Sequence, residues 1–467
     1  MATITTISDV RRFFHEYRRP IYYVGHATHH LVGMDGWVNS LKYICRVDCF
    51  DGRHPNLFVP REIARDDMPE EEVVNRLLQC RDVADYISGR GGNSAALFLM
   101  FDETTEALCA KLGMEIWFPP ADARSCCGNK VETVRMGNTA GVPSVPNVLA
   151  RVERFDELMR LADRAGLGSE LVVQTPYGVC GQTTFFISTE DDWQRDAAEI
   201  VAQPEVKVMR HINCRGSTLE ACVTRCGTVV GPLLTEIIGR KELTPDEGGW
   251  CGNEVFAEAF TEGVRAKASD YAAKIGDQLL TDGYRGYFDV DFLIDRDSGE
   301  VYLGEINPRI TGASPITNRA GGALVPLFLF HLLEFSGVDF KIDVKGLNAR
   351  WADPRFIDSW SEVVVASTSD ESGIVTDAPP SGIWRLDDHG DVTYERFDYL
   401  GTAVAAEREA FYLRITGPGD HCHKGVGLGI LLTHGRLTSD DLELNDTARA
   451  WIRGLTAHYR TRPLEPQ

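Results

Sequence analysis

Several signals that would place this chain in a specialised class are missing from its sequence. The first residues, MATITTISDVRRFF, contain no apolar segment as long as that of a signal peptide, so we expect no secretion. The longest apolar run, at 323–335, is interrupted by His331 and Glu334 and is too short to span a bilayer. We therefore expect a cytoplasmic protein with no membrane partner.

Basic residues are also scarce. The chain has 48 Lys and Arg against 69 Asp and Glu, which gives a net charge of -21. A nucleic-acid-binding protein needs basic residues to neutralise phosphates, so we expect no nucleic-acid partner. The twelve cysteines are expected to be reduced thiols. None of the pairs with close spacing has a second ligand pair at a zinc-like interval: Cys45 with Cys49, Cys222 with Cys226, and His421 with His423.

Two common nucleotide-binding motifs are absent as well. The sequence has no Gly-Lys-Ser/Thr phosphate loop and no G-x-G-x-x-G that opens a helix after a strand. A glycine run at 425–429 lacks that context, and we leave it open between a tight loop and a substrate contact. Any nucleotide site must therefore be built differently.

The composition is that of an ordinary globular protein, with 43% hydrophobic and 25% charged residues. At 467 residues the chain is too long for one core, and we expect two to four structural units. Short strands at 21–24 and 95–101 alternate with a helix at 69–87, which predicts a parallel α/β layer at the N-terminus. A cluster of His26, His29 and His30 follows the first strand, where it is either a polar loop or a ligand site.

The strongest chemical pattern lies at 286–309, in GYFDVDFLIDRDSGEVYLGEINPRI. Two strands joined by a polar turn are predicted here, and alternation puts Asp289 and Asp291 on one face. On the second strand Glu305 shares a face with Asn307, so the hairpin can bring Asp291 opposite Glu305. Carboxylate and amide oxygens beside phosphates are magnesium ligands. Arg309, which follows, can hold a phosphoryl or carboxylate group.

The alternative is a surface hairpin with polar residues on its wet face. Glu305 lies within an otherwise apolar strand, where an unpaired carboxylate is costly, and this favours the metal site.

With these residues in place, the sequence resembles the ATP-grasp superfamily. Its members pair an acidic residue on one strand with a Glu-x-Asn-x-Arg run on the next, and here these match Asp291 and the run from Glu305 to Arg309. The stretch around CCGNKVETVRMGNTAGVPSVPN is similar to biotin-carboxylase-like members, whose phosphate-binding lysine matches Lys130. The resemblance covers roughly residues 104–322.

The resemblance implies an α/β ATP-grasp fold in four parts. These are an N-terminal Rossmann-like (pre-ATP-grasp) domain at 1–128, a small lobe with a mobile loop at 129–204, a large lobe with the metal site at 205–337, and a C-terminal α+β domain at 338–467.

It also implies ATP and Mg²⁺ as cofactors, with two ions and with Mn²⁺ as an alternative. The metal ligands would be Asp291, Glu305 and Asn307, and the catalytic residues Arg309, Asp291 and Glu305. A hinge strand at 208–212 would hold adenine through its backbone, and Glu220 would lie near the ribose or the substrate. The full set of implied nucleotide contacts is Lys130, Gln174, Gly178, Gly181, Met209, Arg210, Ile212 and Glu220.

One position departs from the superfamily pattern. A second phosphate-binding lysine is usual on the strand before the mobile loop, and here that position is Gln174, which carries no charge. Arg210 and Arg215 are the replacements we consider from the sequence.

A closer resemblance is to the pheganomycin-type peptide ligases. It rests on Gln174, the MRHINCRGSTLEACVT hinge, the GGWCGN patch and the GPGDHCHKGVGLGILLTHGRL tail. It implies a reaction that joins an amino- or amidino-substituted carboxylic acid to an amine, an amino acid or a peptide, and it allows a homodimer. Two alternatives stay open: another ATP-grasp activity on a small-molecule acid, such as a carboxylase, and a nucleotide-binding module without catalysis.

Overall fold

The computed structural model describes residues 3–61, 68–178, 183–246, 248–320, 325–402, 404–405 and 408–464, apart from the side chain of Cys126. No helix within these ranges is both long enough and apolar enough to cross a membrane.

The N-terminal part is a five-stranded parallel sheet in the order β3-β2-β1-β4-β5. Chain order reverses beside β1, so the loop after β1 lies at a switch point, where open α/β sheets bind ligands. His26, His29 and His30 are in or next to this loop. The elements are α1 (Ile7–Glu16), β1 (Ile21–Gly25), β2 (Leu41–Cys45), β3 (Leu57–Phe58), α2 (Glu70–Gln79), α3 (Arg81–Ser88), β4 (Ser94–Leu97), α4 (Glu103–Leu112) and β5 (Met114–Ile116).

The helix predicted at 69–87 is two helices rather than one. Cys80 adopts an extended backbone conformation, ends α2 and serves as the N-cap of α3. The apolar spacing continues through Cys80, so the sequence pattern does not reveal the break. The strand predicted at 95–101 is shorter than expected and ends at Leu97.

The next part contains a four-stranded antiparallel sheet in the order β6-β9-β7-β8. Its apolar core is separate from the other cores and includes Leu158, Val173, Ile187 and Val208. The elements are α5 (Ala121–Cys127), α6 (Lys130–Ala140), β6 (Asn147–Ala150), α7 (Phe155–Ala165), β7 (Leu171–Gln174), β8 (Thr184–Ile187), α8 (Glu190–Val201) and β9 (Val206–Arg210).

The largest element is a ten-stranded sheet in the order β14-β13-β10-β11-β12-β15-β21-β19-β17-β18. A separate three-stranded sheet has the order β20-β16-β22. The strands are β10 (Cys214–Thr224), β11 (Gly227–Ile238), β12 (Trp250–Val255), β13 (Gly286–Asp295), β14 (Val301–Asn307), β15 (Trp360–Ala366), β16 (Gly373–Asp377), β17 (Gly382–Leu386), β18 (Val392–Arg396), β19 (Glu409–Arg414), β20 (His421–Cys422), β21 (Gly427–His434) and β22 (Arg460–Pro463).

Helices cover this sheet. The apolar side of β10 and β13, including Leu219, Ala221 and Phe288, packs against Ala268 and Ile275 of α9. The described part of the apolar run at 323–335 contains the buried helix α11. The helices are α9 (Glu262–Thr281), α10 (Ser314–Ala320), α11 (Phe328–Phe335), α12 (Val344–Ala352) and α13 (Asp446–Thr456), with single 3-10 turns at His29–Leu31, Met34–Gly36, Ala257–Ala259 and Pro354–Phe356.

Two of the predicted domain boundaries cut across these sheets. Strand β9 begins after residue 204 but pairs with β6 and β7 of the small sheet. The strands after residue 338 are not confined to a separate sheet. Strand β15 pairs with β12, so the large sheet continues past this boundary. The division into four domains therefore stays a prediction, while the sheets give the observed grouping.

Candidate active site

The hairpin of β13 and β14 has the predicted register. Asp291 lies opposite Glu305 and Asp289 lies opposite Asn307, so this part of the prediction is confirmed. The register shifts between Asp291 and Phe292, opposite Gly304. A Cβ at Gly304 would lie 2.9 Å from the Asp291 carbonyl oxygen, which explains the glycine at this irregular position.

One amide gathers the acidic side chains of the hairpin. Asn307 Nδ2 donates to Asp289 Oδ2 at 3.0 Å, to Asp291 Oδ2 at 3.1 Å and to Glu305 Oε1 at 3.4 Å. Arg309 Nη2 donates to Asn307 Oδ1 at 3.1 Å. Strand β10 contributes Thr218, whose hydroxyl donates to Asp291 Oδ1. The four side chains predicted to surround a metal or a phosphoryl group, Asp291, Glu305, Asn307 and Arg309, are therefore linked by hydrogen bonds, and Asp289 joins them.

The carboxylates of this cluster repel one another. Burial, followed by the charges of Glu220 and other groups, raises the pKa of Asp289 well above its ordinary value. Burial and the charges of Asp289, Glu236 and Glu305 do the same to the pKa of Asp291. Asp289 Oδ1 is buried without a hydrogen-bond partner. A divalent cation would reduce the repulsion among these oxygen atoms.

The residues present fit Mg²⁺, with one condition. Among the described residues, no three Cys, His, Asp or Glu side chains form a group that could hold a metal ion. A site on the hairpin would therefore combine its carboxylates with oxygens of a bound phosphate. Magnesium is commonly held in this way, by one or two carboxylates together with substrate phosphates. Asn307 would join it through its amide oxygen only after the amide turns, because Nδ2 faces the carboxylates and Oδ1 accepts from Arg309.

Lys130 is joined directly to the hairpin. It is the first residue of α6, only 4% exposed, and its Nζ lies 3.0 Å from Glu305 Oε2. Burial works to raise the pKa of Glu305, but Lys130, Arg309 and Asn307 together hold it below its ordinary value. The Lys130 backbone N–H donates to Pro176 O at 2.8 Å, which ties α6 to the loop after Gln174.

Gln174 is the last residue of β7, at the position where the superfamily usually has lysine. Its Nε2 donates to Thr184 Oγ1 at 3.2 Å, while its buried Oε1 has no partner. Directly opposite, on β9, is Lys207. Lys207 could not be predicted as a site residue from the sequence, since a lone lysine in VKVMR carries no motif.

The two arginines considered as replacements lie elsewhere. Arg215 Nη1 donates to the Ala259 carbonyl oxygen, and its guanidinium packs over Phe260. Arg210 is exposed and helps lower the pKa of Asp295, after the backbone hydrogen bond from Ser298 and other contributions. Neither is among the main groups that shift the pKa of Glu305, and a phosphate contact by either arginine stays a prediction.

Three of the other predicted nucleotide contacts, Met209, Ile212 and Gly178, lie within the described residues. Met209 belongs to a small apolar cluster with Val145 and Val172, against which Ile212 packs. Gly178 is exposed, and a Cβ there would collide with Thr183 across the loop. Gly181 lies outside the described residues.

Glu220 is fully buried, and hydroxyl groups surround it. Tyr287 Oη, Thr311 Oγ1 and Ser314 Oγ donate to its carboxylate at 2.8, 2.8 and 2.6 Å. Two of these donors lie in the segment just after Arg309, so Glu220 holds that segment against β10. Its contact with a ribose or a substrate stays a prediction.

Two further groups lie near the site, Glu236, which no sequence motif indicated, and His30 of the N-terminal histidine cluster. Glu236 of β11 faces the acidic cluster, and burial and the charge of Glu305 raise its pKa to about 7. His30 lies near Arg309, since burial and the charges of His29, Arg309 and His26 lower its pKa well below the ordinary value. His29 Nε2 contacts Glu362 Oε1 of β15, so the N-terminal sheet meets the large sheet beside Arg309.

Comparison with known proteins places these features in context. No protein-family model matches the chain. Biotin carboxylase 1 of Bacillus subtilis (strain 168) is 24% identical over 235 residues, which are 48% of this chain and 50% of that protein. The arginine-specific large chain of carbamoyl phosphate synthase from Geobacillus stearothermophilus is 27% identical over 190 residues, 40% of this chain and 16% of that one. The chain thus spans half the length of the first relative and less of the second.

Solved structures match nearly the whole chain. The biotin carboxylase domain of Hydrogenobacter thermophilus 2-oxoglutarate carboxylase, in complex with MgADP, ADP and bicarbonate, has a TM-score of 0.62 at 14% identity over 96% of this chain and 92% of that one. Phosphoribosylamine–glycine ligase from Thermotoga maritima has a TM-score of 0.58 at 14% identity over 95% and 98%. N5-carboxyaminoimidazole synthase from Aspergillus clavatus, with ADP and 5-aminoimidazole ribonucleotide, has 0.55 at 13% over 90% and 94%. The chain has the predicted ATP-grasp fold.

Proposed function

We propose that this protein is an ATP- and Mg²⁺-dependent ligase that joins a carboxylate to an amine through an acyl phosphate. The observation that carries the proposal is the continuous set of contacts from Lys130 through Glu305 and Asn307 to Arg309. It puts two cations and a metal-type oxygen cluster at one point of the fold. The curated relatives and the nucleotide-bound structures support ATP as the phosphoryl donor.

The proposed reaction has two steps. A carboxylate oxygen of the acid attacks the γ-phosphorus of ATP, the bond from that phosphorus to the β–γ bridging oxygen breaks, and ADP leaves. The amine then attacks the acyl carbon, the carbon–oxygen bond to phosphate breaks, and the amine loses a proton as phosphate leaves. Mg²⁺, when bound, offsets the negative charge that develops on the phosphate oxygens.

The residues of this chain have distinct tasks in these steps. Asp291, Glu305 and Asn307 would hold the metal ion. Lys130 would bind the transferring phosphate, because its ammonium lies 3.0 Å from Glu305, a proposed ligand of the metal ion that accompanies the phosphate. Arg309 would stabilise the acyl phosphate and the tetrahedral species that follows. The loop after Gln174 would exclude water, which otherwise hydrolyses the acyl phosphate.

The substrate class is proposed on the resemblance to pheganomycin-type ligases. The acid would carry an amino or amidino group, and the acceptor would be an amine, an amino acid or a peptide. We propose that the substrate binds beside Arg309, where His30 and the His29–Glu362 pair lie. Cytoplasmic location and a homodimer stay predictions.

Trapping the acyl phosphate tests the proposal. The protein is incubated with MgATP, hydroxylamine and a panel of amino and amidino acids, and hydroxamate and ADP are measured together. We expect one or more acids to give hydroxamate in proportion to ADP, and Asp291→Asn to give neither. ADP release that no acid stimulates contradicts a carboxylate-activating ligase.

A carboxylase is the second candidate, because the first curated relative is a biotin carboxylase. The same assay therefore includes bicarbonate with free biotin. ADP release that requires both, and no hydroxamate from any acid in the panel, would assign the site to carboxylation.

A further inference from the structure

Lys207 and Gln174 occupy facing positions in the small sheet. Strands β7 and β9 are antiparallel, and Gln174 is the register partner of Lys207. Partners in an antiparallel pair lie on the same face with Cβ atoms about 5 Å apart. A lysine at position 207 therefore projects from the same face as the side chain at 174, where the superfamily pattern has lysine.

Lys207 is buried and has little to bind within the protein. It is 0% exposed, and the hydrogen bond that the described residues offer its Nζ is a long one, 3.4 Å to the Gly304 carbonyl oxygen. No carboxylate in the described ranges lies within ion-pair distance of Lys207 Nζ. The nearby Glu305 is paired with Lys130 instead. A buried ammonium is costly unless it is paired, so this position is explained best by an anion that arrives with a ligand.

The neighbours of Lys207 show where that anion would lie. Burial lowers the pKa of Lys207 to about 8, with Glu305 acting against this shift and Lys130 adding to it. Both neighbours belong to the candidate active site, and Gly304 directly precedes Glu305 in β14, at the register shift. The ammonium of Lys207 thus faces the point to which Lys130 and the acidic cluster already converge.

We propose that Lys207 is the second phosphate-binding cation of this site, supplying from β9 the charge that Gln174 does not carry on β7. The inference rests on the proposed function in one respect, that the site binds ATP. It assigns the ligand class of Lys207, the polyphosphate of a nucleotide, and explains how Gln174 is tolerated. A purely structural role, support of the Gly304 carbonyl, is the competing explanation.

The test compares nucleotide binding by the full-length wild type and four variants, measured by calorimetry with MgATP, MgADP and adenosine. Lys207→Met removes the charge and keeps the length of the side chain. Lys207→Met combined with Gln174→Lys moves the charge to the facing strand. Lys207→Arg keeps the charge in place, and Lys274→Met, at an exposed position of α9, is the matched control. Circular dichroism verifies folding.

The proposal expects Lys207→Met to weaken MgATP and MgADP about tenfold to a hundredfold, as for the loss of one charge-assisted hydrogen bond, and to leave adenosine unchanged. The combined variant should recover most of the affinity, and Lys207→Arg and Lys274→Met should stay near the wild type. Equal binding of MgATP by folded Lys207→Met and the wild type overturns the proposal, as does an equal loss of adenosine.

Two outcomes keep this test separate from that of the proposed function. If Lys207→Met does not fold, the combined variant decides: recovered MgATP binding supports the proposal, and adenosine binding without MgATP binding overturns it. If the wild type binds neither nucleotide, the proposed function and this inference fail together. If the wild type binds both but gives no hydroxamate, the ligase proposal fails and the role of Lys207 is still decided by the variants.

Discussion

Glu236→Gln should stabilise the ligand-free protein, although it changes a residue that faces the active site. The side chain of Glu236 has no hydrogen bond or ion pair in the described part of the chain, and its pKa is about 7, compared with 4.5 for an ordinary glutamate, because of burial and the charge of Glu305. A raised carboxyl pKa means that the folded protein holds the proton longer than the unfolded chain does. Stability is therefore lost as the pH rises through the folded pKa.

The magnitude follows from the two pKa values. At about pH 8, where both states are ionised, the difference between 4.5 and about 7 corresponds to a loss of about 3 kcal/mol at most. At about pH 5.5 the same group lowers the free energy of unfolding by about 1 kcal/mol. Glutamine does not ionise, so the gain from Glu236→Gln should grow across this range.

The assay is urea denaturation without Mg²⁺ or nucleotide at both pH values. A matched control is Glu254→Gln on the neighbouring strand β12. Glu236 is partly buried. Glu254 is fully buried, and it accepts hydrogen bonds from the backbone N–H groups of Leu437 and Thr438 and from the hydroxyls of Ser361 and Thr438. This variant should destabilise the protein by about 1–3 kcal/mol. A Glu236→Gln variant that is no more stable than the wild type at about pH 8, or equally stabilised at both pH values, refutes the reasoning.

Three further predictions concern the metal ligands, a packed glycine and a buried histidine. Asp291→Asn and Glu305→Gln should reduce ATP-dependent hydroxamate formation at least about a hundredfold while the protein stays folded, since each removes a ligand charge; full turnover by either variant rejects the metal assignment. Gly137→Ala should destabilise the protein by about 1–3 kcal/mol in thermal melts, because the added methyl would lie 2.6 Å from a leucine side chain of β14, whereas Gly263→Ala, with open space in α9, should be neutral or stabilising. Burial lowers the pKa of His331 to about 3, so the unfolded chain takes up a proton before the folded protein does as the pH falls below 6.5. The free energy of unfolding of the wild type should therefore fall by about 2 kcal/mol between about pH 8 and pH 5 through this group. The His331→Phe variant should lack that part of the pH dependence.

The sequence determined by itself those features that depend on neighbouring residues. Alternation along a strand placed Asp289 and Asp291 together, and a short turn between β13 and β14 set the register that puts Asp291 opposite Glu305. The helix at Lys130 is also local, with Asn129 as its N-cap and Gly141 in the left-handed conformation at its end. The hairpin was predicted correctly because its register is decided within about twenty residues.

Only the tertiary structure decided which distant strands lie side by side. Lys207 is opposite Gln174 because β9 inserts between β6 and β7, an order that no local pattern states. Glu236 reaches the acidic cluster, and β15 brings Glu362 to His29, through the same kind of long-range pairing. Such pairing depends on the packing of whole apolar faces, which is shared among many residues. The hairpin that carries the proposed metal ligands could therefore be found from the sequence, and the lysine that faces Gln174 could not.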